Sequence, residues 1–214
     1  MSVLKLNAQN ALLFRIVHRA NFPWIVQNGL HSRTSNVFDP NYRNIGNLDL
    51  IDRRALRRVE VGPGGVLNDY VPFYFTPYSI MMLNIKTGYG GVTQQKNEDI
   101  LILVSSIPKF VEAQVPFVFT NQHAFPVIAR YFTDPANLNF IDWACLQARD
   151  FKHNPEDPGK KERYQAEGLA WKHVPLSALL GICCYNQSVE TEVMRTLTAA
   201  GKNLSTVVRP TWYF

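Results

Sequence analysis

The chain has 214 residues, 46% of them hydrophobic, enough for one domain with its own core. Apolar runs such as residues 100–105 fall far short of the ~20 residues that cross a bilayer, and the start MSVLKLNAQN lacks a signal peptide's basic-then-apolar pattern, so a cytoplasmic protein without membrane attachment is expected. A net charge of +5 favours an anionic partner, nucleic acid ahead of membrane because no basic amphipathic helix stands out.

Residues 12–17 read as a short strand and residues 22–28 as an amphipathic helical turn stopped by Gly29. An irregular stretch, 32–47, leads to a short basic helix over 48–58 and a turn at GPGG, 62–65. That turn is no phosphate loop: the Gly-Lys-Ser/Thr ending is missing, as is the dinucleotide fingerprint. YVPFYF at 70–75, a turn at 76–79 and a second apolar segment at 80–85 come next. Residues 100–105 and 117–120 have the β-branched and aromatic content of strands, while 124–131 and 141–149 read as helices. Late strands are expected at 171–175 and 180–185, with a closing helix at 190–200. Strands outnumber helices without strict alternation, which predicts an α+β fold, a single domain over residues 1–214.

Three cysteines, Cys145, Cys183 and Cys184, show no CxxC spacing, so buried thiols are expected rather than disulfides or zinc. No histidine sits in a paired or HExxH spacing, and no metal site is expected. Basic residues gather at Arg53, Arg54, Arg57 and Arg58, and again at Arg149, Lys152, Lys160, Lys161 and Arg163, interleaved with Tyr42, Phe151 and Tyr164. That mixture is either a single-strand binding surface, with phosphate contacts and stacking platforms, or two solvated charged faces. Glu167 is the leading catalytic candidate, a lone carboxylate between the Pro/Gly/Asp/Lys-rich loop 149–161 and the mixed segment 168–174, read as a half-buried strand. The competing reading is an exposed Glu beside a lysine. His18, following the first strand, is either structural or a donor to a ribose hydroxyl. In the second case a distant carboxylate would stabilise charge developing at the anomeric carbon.

The segments FRIVHRANFPWIVQNGLHS, DPNYRNIGNLDLIDRR, GPGGVLNDYVPFYFTPYSIM, VFTNQHA and DPGKKERYQAEGL, in this order and spacing, resemble the DarT family of bacterial DNA ADP-ribosyltransferase toxins. The resemblance runs from about residue 12 to about residue 185. It implies an ADP-ribosyltransferase fold, a split central β-sheet flanked by helices that clasps NAD, and transfer of ADP-ribose to a base of single-stranded DNA. The family's catalytic glutamate falls on Glu167 and its arginine on Arg54, with Arg53 the competing alignment. NAD contacts are expected at His18, Arg19, Ala20, Asn21, Gln27, Ser35, Gly46 and Arg54, beneath a covering element at about 38–56. The loop presenting substrate to the glutamate falls at about 120–167. Tyr74, Phe75, Thr76 and Met81 are expected to line the nicotinamide and base pocket, unless they are sheet core. DNA contacts are further expected at His123, Arg149, Lys152, His153, Lys160 and Tyr164. At Asn121 the chain departs from the Asp that the resemblance implies for many members of the family.

By the same resemblance NAD is a co-substrate, no metal is needed, and the partners are single-stranded DNA and a DarG-like antitoxin bearing a macrodomain. The chain is expected to act as a monomer. Thymidine is the favoured acceptor, with guanosine the other. An ADP-ribosyltransferase acting on RNA or protein, and a non-catalytic nucleic-acid-binding module, remain as alternatives.

Overall fold

A computed structural model describes residues 4–214; Met1–Val3, the beginning of the start read for a signal, lie outside the described residues. In chain order the elements are β1 (Leu12–His18), α1 (Phe22–Asn28), β2 (Leu30–His31), α2 (Leu48–Arg54), β3 (Tyr70–Tyr74), α3 (Ile80–Thr87), β4 (Ile100–Ser106), α4 (Ile107–Glu112), β5 (Phe117–Thr120), β6 (Tyr131–Phe132), α5 (Trp143–Ala148), α6 (Lys160–Arg163), β7 (Glu167–Trp171), β8 (His173–Val174), β9 (Gly181–Cys184), α7 (Gln187–Ala199) and β10 (Ser205–Val208). Eight strands form one sheet in the order β10-β9-β4-β1-β3-β7-β5-β6, and β2 pairs with β8 in a small ribbon. The mixture is the expected α+β architecture.

The sheet is split at its middle. β1 pairs with β4 along its whole length, from Leu12↔Ser106 to His18↔Ile100, but it meets β3 only at Phe14↔Tyr74. Beyond that pair the two strands diverge, with Arg15 reaching across to donate to the carbonyl of Pro72 (2.8 Å). β3 and β7 then run antiparallel from Tyr70↔Trp171 to Tyr74↔Glu167, which carries Glu167 to the level of the split.

Local chemistry sets the ends of the flanking helices. The Asn47 side chain caps α2 by accepting from the Leu50 amide, and Ser79 and Asn186 do the same for α3 and α7. The α2 helix stops at Arg54, short of residue 58, because the chain beyond pairs elsewhere: the Arg57 carbonyl accepts from the Leu67 amide and Arg58 bridges Val66 across the GPGG turn. The apolar segment at 80–85 is helical, capped by Ser79 and closed by Gly88 at φ 75°.

No helix forms over residues 124–131, contrary to the sequence reading. The backbone groups a helix would use are engaged otherwise: the Ala124 amide goes to Glu167, its carbonyl accepts from the Tyr131 hydroxyl, and Arg130 pairs with Asn121. The segment is the β5–β6 connection. β7 is also more buried than a half-buried strand, with Glu167, Gly168, Leu169 and Ala170 all inside. β10 pairs parallel to β9, a strand the sequence reading did not include.

Candidate active site

Glu167 opens β7 and Arg54 closes α2, and the fold brings these residues together with Glu167 at 2% and Arg54 at 8% exposure. Arg54 Nη1 donates to Glu167 Oε1 at 3.2 Å. Nη2 lies 3.0 Å from Oε2 but out of line for a hydrogen bond, leaving it a buried donor without one. Oε1 also accepts from the Ala124 amide (3.0 Å), and His123 Nε2 stands 3.9 Å away. Behind the carboxylate, the Glu167 amide donates to Thr120 Oγ1. Glu167 is therefore not an exposed residue beside a lysine. Arg53 is exposed and lies over the Phe125 ring, so Arg54 is the arginine that meets Glu167.

The pair is electrostatically fixed. Burial works to raise the Glu167 pKa, but Arg54, His123 and the hydrogen bonds outweigh it and hold the carboxyl below its ordinary value of 4.5. Burial likewise works to lower Arg54, and Glu167 reverses the shift upward. Tyr74, half-buried in the cavity wall and paired with Glu167 across β3 and β7, is held as a phenol, its pKa pushed upward by desolvation and by the Glu167 charge.

A cavity of about 580 Å³ fills the split between β1 and β3, with Arg54 and Glu167 in its wall. Arg15 and Ile16 of β1 face Tyr70, Pro72 and Tyr74 of β3 across it, while Phe38, Tyr42, Asn44, Gly46 and Asn47 come from the expected covering segment. Of the other expected contacts, Met81 also lines the cavity.

The remaining cofactor candidates sit outside that lining. His18 Nδ1 accepts from the Ala20 amide and Nε2 lies 3.4 Å from Arg43 Nη1, and Asn21 clamps the Arg43 backbone by donating to its carbonyl and accepting from its amide. His18 and Asn21 thus hold the covering segment; burial and Arg43 keep the His18 imidazole below its ordinary pKa. Arg19 pairs with Asp99 and Glu192, Ala20 is exposed, and Ser35 contacts His31 Nδ1 at 3.1 Å. Gln27 lines a second cavity of about 420 Å³ that also includes His173 and Lys202. Trp24, His31 and Asn68 line the main cavity without having been singled out as contacts. Trp24 carried a usable signal, being the large aromatic on the amphipathic turn just before the loop.

The DNA-side expectations divide. His123 is beside Glu167, as the fold of the β5–β6 connection requires. Phe75 points to the other side of β3 and packs edge-on against Phe119 and Trp143, Thr76 is buried, and Tyr164 is buried with its hydroxyl donating to the Tyr78 carbonyl. These three are core residues: of β3, Tyr70, Val71, Pro72 and Tyr74 line the cavity, while Phe75 and Thr76 just beyond the strand and Tyr164 at the end of α6 pack inside. In the loop before Glu167, Lys160 pairs with Asp150 and Arg163 with Asp142 and Asp157, while Arg149 lies over the Tyr78 ring. Lys152 and His153 stay exposed. Among the described residues no cluster of His, Cys, Asp or Glu is arranged for a metal, and no helix is long and apolar enough to cross a membrane. Burial pushes the Cys183 and Cys184 thiols up to about 12, away from nucleophilic use.

A split sheet whose cleft holds a buried Arg–Glu pair, beneath a loop covering a dinucleotide-sized cavity, defines an ADP-ribosyltransferase. The family model described as ssDNA thymidine ADP-ribosyltransferase, DarT, matches residues 14–214, and the chain belongs to that family. It is 50% identical over 209 residues to a DNA ADP-ribosyl transferase of Escherichia coli O127:H6 (strain E2348/69 / EPEC), covering 98% of this chain and 96% of the relative. Thermus sp. 2.9 DarT in complex with ADP-ribosylated ssDNA superposes with a TM-score of 0.89 at 32% identity, covering 99% of this chain and all of that one. The same Thermus protein in complex with NAD+ gives a TM-score of 0.82 at 33% identity, covering 96% and 98%.

Proposed function

We propose that this chain is a single-domain toxin that transfers ADP-ribose from NAD to a thymidine base of single-stranded DNA, and that its partner is an antitoxin with an ADP-ribose-removing macrodomain. The observation that carries the reading is the ionised, buried Glu167 held by Arg54 in the wall of the split-sheet cavity. The cavity's size falls in the usual range for small-ligand sites, and it combines amide side chains from Asn44, Asn47 and Asn68 with aromatic and aliphatic walls, a donor set suited to a dinucleotide. The unsatisfied Nη2 of Arg54 supplies a further buried donor for a phosphate or base oxygen.

NAD, when bound, supplies an activated bond to nicotinamide, its own leaving group. The protein's work is then positional and electrostatic. Glu167 accepts from a ribose hydroxyl and stabilises positive charge developing at the anomeric carbon, in a site where low polarity strengthens the effect. Arg54 keeps that carboxylate ionised and orients the incoming base. Its raised pKa makes it a poor proton acceptor, so orientation rather than deprotonation is its assigned role. Gly46, Tyr74 and Met81 shape the cavity around both substrates, and His18 and Asn21 act through Arg43 on the covering loop.

Single strands are the fitting substrate because a duplex hides the pairing edge of its bases. The test is mass spectrometry of single-stranded oligonucleotides of varied base content after incubation with NAD, with Glu167→Gln as control. A gain of one ADP-ribose on thymidine-containing strands, absent in the variant, is expected. Gain only on guanosine-containing strands would move the acceptor, and transfer only to RNA or protein would overturn the DNA assignment.

A further inference from the structure

The first part of the covering segment, residues 38–42, is held from both sides. On its far side the Arg43 backbone is gripped by Asn21. On its near side stands a cluster of three side chains outside the cavity lining, Thr34, Asp69 and Lys172. Between these anchors Val37, Phe38, Asp39 and Tyr42 line the cavity. Among the described residues the hydrogen bonds of 38–42 stay within the segment, the Asn41 and Tyr42 amides both going to Asp39. With no hydrogen bonds of their own to the body of the protein, these residues take their position over the cavity from the two ends.

The near anchor is built around one carboxylate. Asp69 Oδ1 accepts from Thr34 Oγ1 at 2.6 Å and from Lys172 Nζ at 2.5 Å, Lys172 Nζ also donates to Thr34 Oγ1 at 2.9 Å, and Asp69 Oδ2 accepts from the Val66 amide at 2.8 Å. Burial works to raise the Asp69 pKa, but Lys172, Thr34 and Val66 outweigh it and hold the carboxyl below its ordinary value. The backbone joins the same three places: the Lys172 amide donates to the Asp69 carbonyl at 2.9 Å, and the Lys172 carbonyl accepts from the Ser32 amide at 2.7 Å. Lys172 makes these bonds at a φ of 56°, a left-handed conformation that a lysine enters only at a cost. Such a conformation persists where the surrounding contacts over-determine it, and here they come from three separate segments.

We propose that Thr34, Asp69 and Lys172 are positioning residues, a latch that sets the covering segment over the cavity, so that the chain's affinity for NAD depends on a cluster that does not touch the dinucleotide. The proposal rests on the reading of the cavity as the NAD site and adds what sets the affinity there. The latch acts on binding rather than on the transfer step. It lies just past the end of β7 opposite Glu167, whose carboxylate keeps its own supports in Arg54 and the Ala124 amide.

The experiment compares wild-type protein with Thr34→Val, which removes only an exposed hydroxyl, with Thr34→Ser, which keeps one, and with Lys172→Met, which retains an apolar stem beside Trp171 without the ammonium. NAD affinity is read by calorimetry, KM and kcat by mass spectrometry of modified oligonucleotides, and the hold on the segment by chymotrypsin cleavage after Phe38 and Tyr42 with and without NAD. Thr34→Val and Lys172→Met are each expected to weaken NAD binding and raise the KM for NAD about fivefold, the effect of losing one hydrogen bond, with kcat and the KM for DNA within about twofold of wild type. Because both act on one carboxylate, the double variant should lose little more than Lys172→Met alone, and Thr34→Ser should behave as wild type. Cleavage after Phe38 and Tyr42 should be faster in Thr34→Val and Lys172→Met. Unchanged NAD affinity in these two variants overturns the proposal. So does a fall in kcat with the KM for NAD unchanged, or a loss that Thr34→Ser shares, which would make the cluster a support of the fold alone. Thr34→Val decides the matter by itself should Lys172→Met fail to fold. If wild-type protein binds no NAD, the activity reading fails, and cleavage of the unliganded proteins still decides whether the latch holds the segment, equal rates overturning it.

Discussion

A glutamate at a loop end could be replaced by alanine at little cost to folding, but Glu167 is buried against Arg54, and this changes what Glu167→Ala should do. The variant leaves a guanidinium at 8% exposure without its counter-charge and takes the acceptor from the Ala124 amide. Removing one partner of a buried pair costs roughly 3–5 kcal/mol. For a domain of this size that corresponds to a fall of about 6–20 °C in Tm. Glu167→Gln keeps an oxygen for Ala124 and Arg54 Nη1 but not the charge, so its stability loss should be smaller, on the order of 1–3 kcal/mol. Transfer should nevertheless drop by about 10²–10³-fold or more, because the lost charge is the one facing the anomeric carbon. Combining Glu167→Gln with Arg54→Met removes both charges and should recover most of the stability that Glu167→Ala loses, while transfer stays absent. Urea unfolding with unchanged m-values, alongside mass spectrometry of modified oligonucleotides, reads both quantities on the same proteins. The reasoning is refuted if Glu167→Ala is as stable as wild type, or if Glu167→Gln transfers within tenfold of it.

The pH dependence has a defined sign. Glu167, with its folded pKa below 4.5, contributes stability that is present above the unfolded value of 4.5 and lost as pH falls through the lower folded value; acid unfolding monitored by circular dichroism should therefore lose part of its pH dependence in Glu167→Gln. His18, also depressed from 6.5, contributes stability present above 6.5 and lost on acidification through its folded value, so His18→Gln should flatten the stability profile on the acid side of 6.5 in the same measurement. Gly168→Ala would place a methyl 2.5 Å from Leu13 Cδ2 in the core, and a loss of about 1–3 kcal/mol is expected in urea unfolding, with weaker transfer through displacement of Glu167. Reversing charge at Lys152 and Lys160 together should weaken single-strand binding and flatten its salt dependence mainly through the exposed Lys152, since Lys160 is already paired with Asp150; an unchanged salt slope would remove Lys152 from the DNA path.

The sequence made β1, β4, β5 and β9 and the α1 helix legible because their signals are local, β-branched and aromatic runs at β4 and β5, and Pro23 and Gly29 bounding about two turns of helix, whereas β6 and β10 of the same sheet went unread. It misread residues 124–131 because what decides that segment is a carboxylate some forty residues later taking the Ala124 amide, and no periodicity encodes that. The same limit applies to Phe75 and Tyr164. Their aromatic character suits a stacking surface or a core equally well, and only the side of β3 and the packing of α6 assign them to the core. Charge was legible in amount but not in effect. Both basic clusters are candidate DNA surfaces in the sequence, yet Asp142, Asp150 and Asp157 return to neutralise Lys160 and Arg163, while Arg53 and Arg57 are left with aromatic rings instead of acids. Glu167 stands out by its place between a polar loop and a strand, Arg54 by resemblance, and what the structure adds is their mutual dependence. Neither is well placed alone in a buried wall. Together they form a dipole that stays ionised across neutral pH, with Arg54 Nη2 3.0 Å from Oε2 yet making no hydrogen bond of its own.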